Sequence, residues 1–135
     1  MMNAPTPSDP REDMRRIVEQ RGLCGLANDT KWNGFVNAMR ARPEWRPSYR
    51  CKFVHGRVGD WDVEWFAHFP IPIAIEWLDI VFRFEITQGQ GPPRVVDHCE
   101  WMEAMVRDAR FEYVKGDHML RIFGYSPKDM ALFDD

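Results

Sequence analysis

The chain has 135 residues, 44% of them hydrophobic and 13% aromatic, including six tryptophans and nine phenylalanines. That content excludes a disordered chain, and the length suits one domain that buries about two-thirds of its unfolded surface. Net charge is only −3, yet residues 1–57 carry 11 Lys/Arg against 6 Asp/Glu and residues 58–135 carry 7 against 15, a polarity that can mark a surface meeting a charged partner.

The longest mostly apolar run, Phe66 to Ile75, is interrupted by His68, Pro70 and Pro72 and is far shorter than the roughly 20 residues of a membrane-spanning helix. No membrane partner is expected. The opening residues, MMNAPTPSDPRED, contain no apolar signal-peptide core, so a cytoplasmic location is expected. Cys24, Cys51 and Cys99 are odd in number and widely spaced, which fits small buried thiols better than a disulfide framework or a zinc site.

Residues 1–8 read as a flexible tail. Asp9, Pro10 and Glu12 supply a helix cap, a first-turn proline and a capping acid, so a mostly polar helix is expected from Asp9 to about Arg21, ended by Gly22. Asn28-Asp29-Thr30 caps a second helix carrying Trp32, Phe35, Val36 and Met39 at helical spacing and ending before Pro43. Residues 44–47 form a loop from which Trp45 is expected to fold back over the core. Tyr49, Cys51, Phe53 and His55 alternate with Arg50, Lys52 and Val54 as in a strand, and Gly56 to Asp60 turn the chain.

A return strand is expected over Trp61–Phe69, with Trp61, Val63, Trp65, Ala67 and Phe69 on one face and Asp62, Glu64, Phe66 and His68 on the other. Pro70 and Pro72 interrupt the pairing. A further strand covers Ile73–Phe84, where apolar parity changes near Trp77–Leu78 and predicts a bulge. After the loop Gln88–Pro93, a third helix is read over 94–109 on the stripe Val95, Cys99, Met102, Val106 and Ala109. A final hairpin pairs 111–114 with 118–123, and 126–135 read as a short polar tail. The order α-α-β-β-β-α-β-β predicts a single α+β domain over 9–125, an antiparallel sheet of about five strands with helices packed on one side.

Asp60, Asp62, Glu64 and His68 lie close in sequence, with Glu76 and Asp79 on the next strand. An oxygen-rich metal site serving a small hydrolase, built on Asp62, Glu64 and His68, is one reading of them, although their spacing matches no known ligand motif. His55, His68, His98 and His118 are scattered, and no nucleophile-elbow context is present. A Cys–His pair from Cys51 or Cys99 stays open, but no catalytic residue, cofactor or metal ligand is assigned. Arg40, Arg42, Arg46, Arg50, Lys52 and Arg57, interleaved with Trp45, Tyr49 and Phe53, combine charges and rings suited to nucleic acid, against an acidic pI of about 5.8 that disfavours a polyanion. The third reading is a protein partner with a basic cleft, met by an acidic, aromatic surface of Asp60, Asp62, Glu64, His68, Glu76 and Asp79.

Asn28-Asp-Thr-Lys-Trp32, Glu64-Trp-Phe-Ala-His68, Ile75-Glu-Trp-Leu78 and Arg121-Ile-Phe-Gly-Tyr125 together resemble a family of small bacterial proteins of unknown function, over about residues 28–125. The helix at 9–21 lies outside that pattern. Proteins of this size and tryptophan content look like immunity proteins. The resemblance implies a non-enzymatic protein that binds and neutralises a cognate toxin or effector by blocking its active site.

Overall fold

The computed structural model describes residues 9–133, so the expected tail at 1–8 lies outside the described residues. Helix α1 spans Pro10–Arg21, capped by the Asp9 carboxylate, which accepts the Arg11 N–H at 3.0 Å, and ended by Gly22 at φ 66°, a left-handed turn that suits glycine. None of its residues is buried. It is fastened by its last residue, since the Arg21 guanidinium donates to the Val54 carbonyl and to Glu76 at 2.6 Å. After the short strand β1, Cys24–Gly25, helix α2 runs Asp29–Arg40, with the Asn28 side chain accepting the Lys31 N–H and Trp32, Phe35, Val36 and Met39 buried.

The main sheet is built from β2 (Tyr49–Phe53), β3 (Ile75–Val81), β7 (Met119–Phe123) and β6 (Tyr113–Lys115), all antiparallel in the order β2-β3-β7-β6. Helix α3, Cys99–Asp108, joins α2 on one face. There Trp32, Phe35, Met39, Met102 and Val106 meet Tyr49, Cys51, Leu78, Ile80, Leu120 and Ile122 in one core cluster. Each large side chain so buried contributes roughly 2 kcal/mol. The class is α+β, with the helical core on one side of an antiparallel sheet.

The other face is polar. Arg50 is opposite Asp79, Lys52 opposite Trp77, and Asp79 opposite Arg121, so charged groups occupy the rows that alternate with the core residues. Residues 127–133 cross this face. They follow β8, Tyr125–Ser126, which pairs antiparallel with β1.

Three expected elements come out differently. Residues 61–69 form no strand: only isolated bridges, Tyr49 with Asp62 and Lys52 with Val58, attach 58–62 to the edge of β2. Backbone donors that a ladder would need go to side chains instead, Glu64 N–H to Asp62 and the Phe66 and His68 N–H groups to Glu64, the local competition by which short acids break sheets. The run Ile73–Phe84 also breaks at Phe82, because its second half, β4 (Arg83–Ile86), leaves the sheet to pair with β5 (Arg94–Asp97). The bulge lies in β3 at Glu76, since Lys52 pairs with Trp77 and Phe53 with Ile75, one residue before the expected Trp77–Leu78 position. Finally, 94–97 are strand, and α3 begins only at Cys99, whose N–H is taken by the Asp97 carboxylate at 2.8 Å. The Val95–Val96 pair favours the extended state over the helix.

Trp45 does fold back, stacking on His98 at 4.0 Å and on Phe84 at 5.5 Å. It ties the β4–β5 arm to the rest of the molecule. No helix among the described residues is long and apolar enough to cross a membrane.

Candidate functional site

Residues 60–71 pass from the edge of β2 to the turn of 3-10 helix at Pro72–Ala74 as a projecting loop. One residue anchors its middle. Trp65 is fully buried, its indole N–H donates to the Pro47 carbonyl at 2.8 Å, and its ring lies 5.2 Å from Phe69 and 4.8 Å from Tyr49. From α2, Arg40 reaches across to donate to the Trp65 and Phe66 carbonyls at 2.7 and 3.1 Å. The Tyr49 hydroxyl donates to the Glu64 carbonyl.

Inside this frame the two acids set the loop's shape. Asp62 accepts the Glu64 N–H at 2.9 Å, and Glu64 accepts the N–H of Phe66 at 2.9 Å and of His68 at 2.6 Å. These main-chain donors, aided by the neighbouring His68 ring, hold both carboxyls below their ordinary range, so both remain ionised in mild acid. The His68 Nδ1 lies 2.9 Å from Asp62 and 3.9 Å from Glu64. Asp60, Trp61, Asp62 and His68, with Arg57 opposite, line a cleft of about 310 Å³.

What the loop shows to solvent is apolar as well as acidic. Trp61 is 42% exposed, Val63 67%, Phe66 54% and Ile71 37%. Phe66 is flanked by the guanidiniums of Arg40 and Arg46 at 5.4 and 5.2 Å, and Trp61 lies over Arg50 at 4.7 Å. Rigidly held exposed aromatics beside fixed charge match the anatomy of a recognition surface, in which desolvated rings supply energy and charges supply steering.

Of the six residues expected to form the acidic surface, four meet in this loop: Asp60, Asp62, Glu64 and His68. The other two do not belong to it. Glu76 is 2% exposed and held by Arg21 and Lys52, while Asp79 is fully buried between Arg50 and Arg121. Both faces of β3 are covered, so its carboxylates had to be paired inside rather than shown outside. Of the exposed apolar partners, Val63 is expected on the face opposite the acids and Ile71 lies beyond the expected strand, while Phe66 falls on the acidic face but not among the six residues of the expected surface. The acids two apart, Asp62 and Glu64, were the signal for a capped loop.

The other sequence readings find less support in the geometry. Among the described residues no three His, Cys, Asp or Glu side chains converge as metal ligands would; in particular, both Glu64 oxygens face main-chain donors. The basic stretch is largely spent internally. Arg42 stacks on Trp101 at 3.5 Å, Arg46 donates to the Met39 and Arg40 carbonyls, and Arg50 and Lys52 pair with Asp79 and with Glu76 and Asp129. Trp45 and Tyr49 are likewise engaged, on His98 and in the core.

Comparison with characterised proteins and with solved structures yields no match to the chain. A family model does match, over residues 14–129. It includes α1 beyond Asp13 and reaches Asp129 at the charged face, and on that coverage the chain belongs to a family of unknown function, DUF6678.

Proposed function

We propose that the protein is a non-enzymatic, immunity-type binding protein that neutralises a cognate bacterial toxin or effector by occluding its active site with the loop 60–71. The observation that carries this reading is the exposure of Trp61, Val63, Phe66 and Ile71 on a loop whose acids are fixed by main-chain hydrogen bonds. A loop fixed before binding loses little entropy on docking, so its contacts count more fully toward affinity. Its acidic side chains Asp60, Asp62 and Glu64 complement a basic cleft, the kind of surface found where an enzyme handles nucleic acid or another polyanion.

The test is co-purification from the native bacterium, followed by co-expression of the retained protein in a heterologous host. A partner toxic alone and harmless beside this protein supports the reading. The variant Asp60→Lys/Val63→Ala/Phe66→Ala spares the loop's internal hydrogen bonds and should weaken the complex by about 2 kcal/mol or more, roughly thirtyfold. Full protection by that variant in a folded protein would remove the loop from the interface.

A further inference from the structure

The sheet face opposite the helices carries a charge system that the acidic loop does not use. Arg21, Arg50, Lys52 and Arg121 gather around Glu76, Asp79 and Asp129, and the last of these carboxylates belongs to the covering segment rather than to the sheet. Without that segment, the cations outnumber the sheet's own carboxylates by two.

The covering segment is held as a bound peptide is held. Its Asp129 carboxylate takes the Lys52 ammonium at 2.6 Å and the Trp77 indole N–H at 3.2 Å. Its main-chain carbonyls at Asp129 and Ala131 accept from Arg121 at 3.0 and 2.7 Å, and that of Leu132 accepts from Arg50 at 3.1 Å. Phe133 lies 5.3 Å from the Arg121 guanidinium, which also stacks on Trp77 at 3.6 Å. Apolar burial adds little, since Met130 and Leu132 stay exposed. Beside the segment a cleft of about 480 Å³, walled by Trp61, Met119, Leu132 and Phe133, has Arg50 at its side. The Arg50 Nε is buried with no hydrogen-bond acceptor among the described residues, so the present occupant leaves one donor of this face unused.

We infer that this face is a groove for an extended peptide bearing a carboxylate, which the chain fills with its own residues 127–133 and which a carboxylate-bearing segment of a partner protein occupies by displacing them. The recognition elements are a carboxylate at the Asp129 position, main-chain carbonyls for Arg121 and Arg50, and an aromatic ring beyond them. A short tether gives the resident segment an effective concentration of about millimolar, so a partner peptide must outcompete it, and the groove opens only to a ligand of matched pattern. The groove is basic where the loop 60–71 is acidic, and it stands independently of the binding role proposed for that loop.

The experiment uses a fluorescently labelled peptide of residues 127–133 and the protein truncated after Ser126, with fold checked by near-ultraviolet circular dichroism. The peptide is expected to bind the truncated protein in a salt-dependent way and to lose at least tenfold in affinity on D129A in the peptide. It should bind the full-length protein at least tenfold more weakly than the truncated one. A folded truncated protein that ignores the peptide, or binds the D129A peptide equally well, overturns the inference. Should truncation unfold the chain, full-length D129A replaces it: at least tenfold tighter peptide binding than to the full-length wild type is expected, and equal binding overturns the inference.

Discussion

Asp79 and Arg121 face each other across β3 and β7, both fully buried, and the carboxylate accepts from the guanidinium Nε at 2.7 Å and from Nη2 at 2.9 Å. Arg50 adds a third donor at 2.8 Å. A bidentate pair of this kind has strong directionality, but its stabilising value depends on both members being present. Asp79→Ala leaves buried cations uncompensated and is expected to cost about 3–5 kcal/mol in urea denaturation. The double change Asp79→Leu/Arg121→Met should recover much of that loss.

The strap over the charged face should loosen in acid. Burial pushes the Asp129 carboxyl up, but Lys52, the Ala131 N–H and the Trp77 indole outweigh it and hold it down at about 2, against an ordinary 3.8. The folded protein therefore keeps the charged form that the unfolded chain gives up sooner. This contribution is complete above about 3.8 and is lost as the pH falls toward 2. Trp77 emission should shift across that window, and Asp129→Asn should remove the shift.

His98 responds at milder pH. Its Nδ1 accepts from the Trp101 indole N–H at 2.8 Å, so the neutral ring carries its proton on Nε2. Burial, then the nearby Arg42 charge, push its pKa below the ordinary 6.5, with Asp97 opposing them. The unfolded chain takes up the proton first, so stability is complete above 6.5 and declines as the pH drops below it. Urea midpoints measured from pH 7.5 to 5 should fall less steeply in His98→Gln than in the wild type.

The expectations that held are those resting on local chemistry. Asp9-Pro10 and Gly22 bracket α1, Asn28 caps α2, and the Trp32-Phe35-Val36-Met39 stripe packs inward. Where the reading depended on period-2 alternation, burial on both faces of β3 removed the contrast it needs, and Glu76 and Asp79 looked like surface acids. Their partners Arg21 and Arg121 are 55 and 42 residues away, a separation that no local pattern encodes. The loop site was half legible: the acids were visible, but their use as caps, which exposes Val63 and Phe66, required knowing that no partner strand pairs there.

Gly124 is expected to tolerate no side chain. A Cβ there would run into the Ile75 carbonyl oxygen, while the Gly124 N–H donates to the Glu76 carbonyl at 2.9 Å. Backbone on backbone leaves nothing flexible to yield. Gly124→Ala should cost about 3 kcal/mol, measured as a fall in urea midpoint with an unchanged slope.

Glu64→Ala should separate the loop's order from global stability. Removing the acceptor of the Phe66 and His68 N–H groups is expected to speed hydrogen exchange at those amides about tenfold or more. The denaturation midpoint should barely move, because the buried anchor Trp65 remains in place.

The clasp between β1 and β8, Cys24 with Ser126 and Gly25 with Tyr125, bears on how the molecule is made. A ribosome delivers residues 24 and 25 long before residues 125 and 126, so the nascent chain must wait for the whole intervening stretch before the clasp closes. The carbonyls that receive Arg121 arrive later still. A stalled or clipped product would thus hold a completed helix α2 beside a sheet whose buried cations lack their cover, and quality-control proteases would meet it as an unfinished protein.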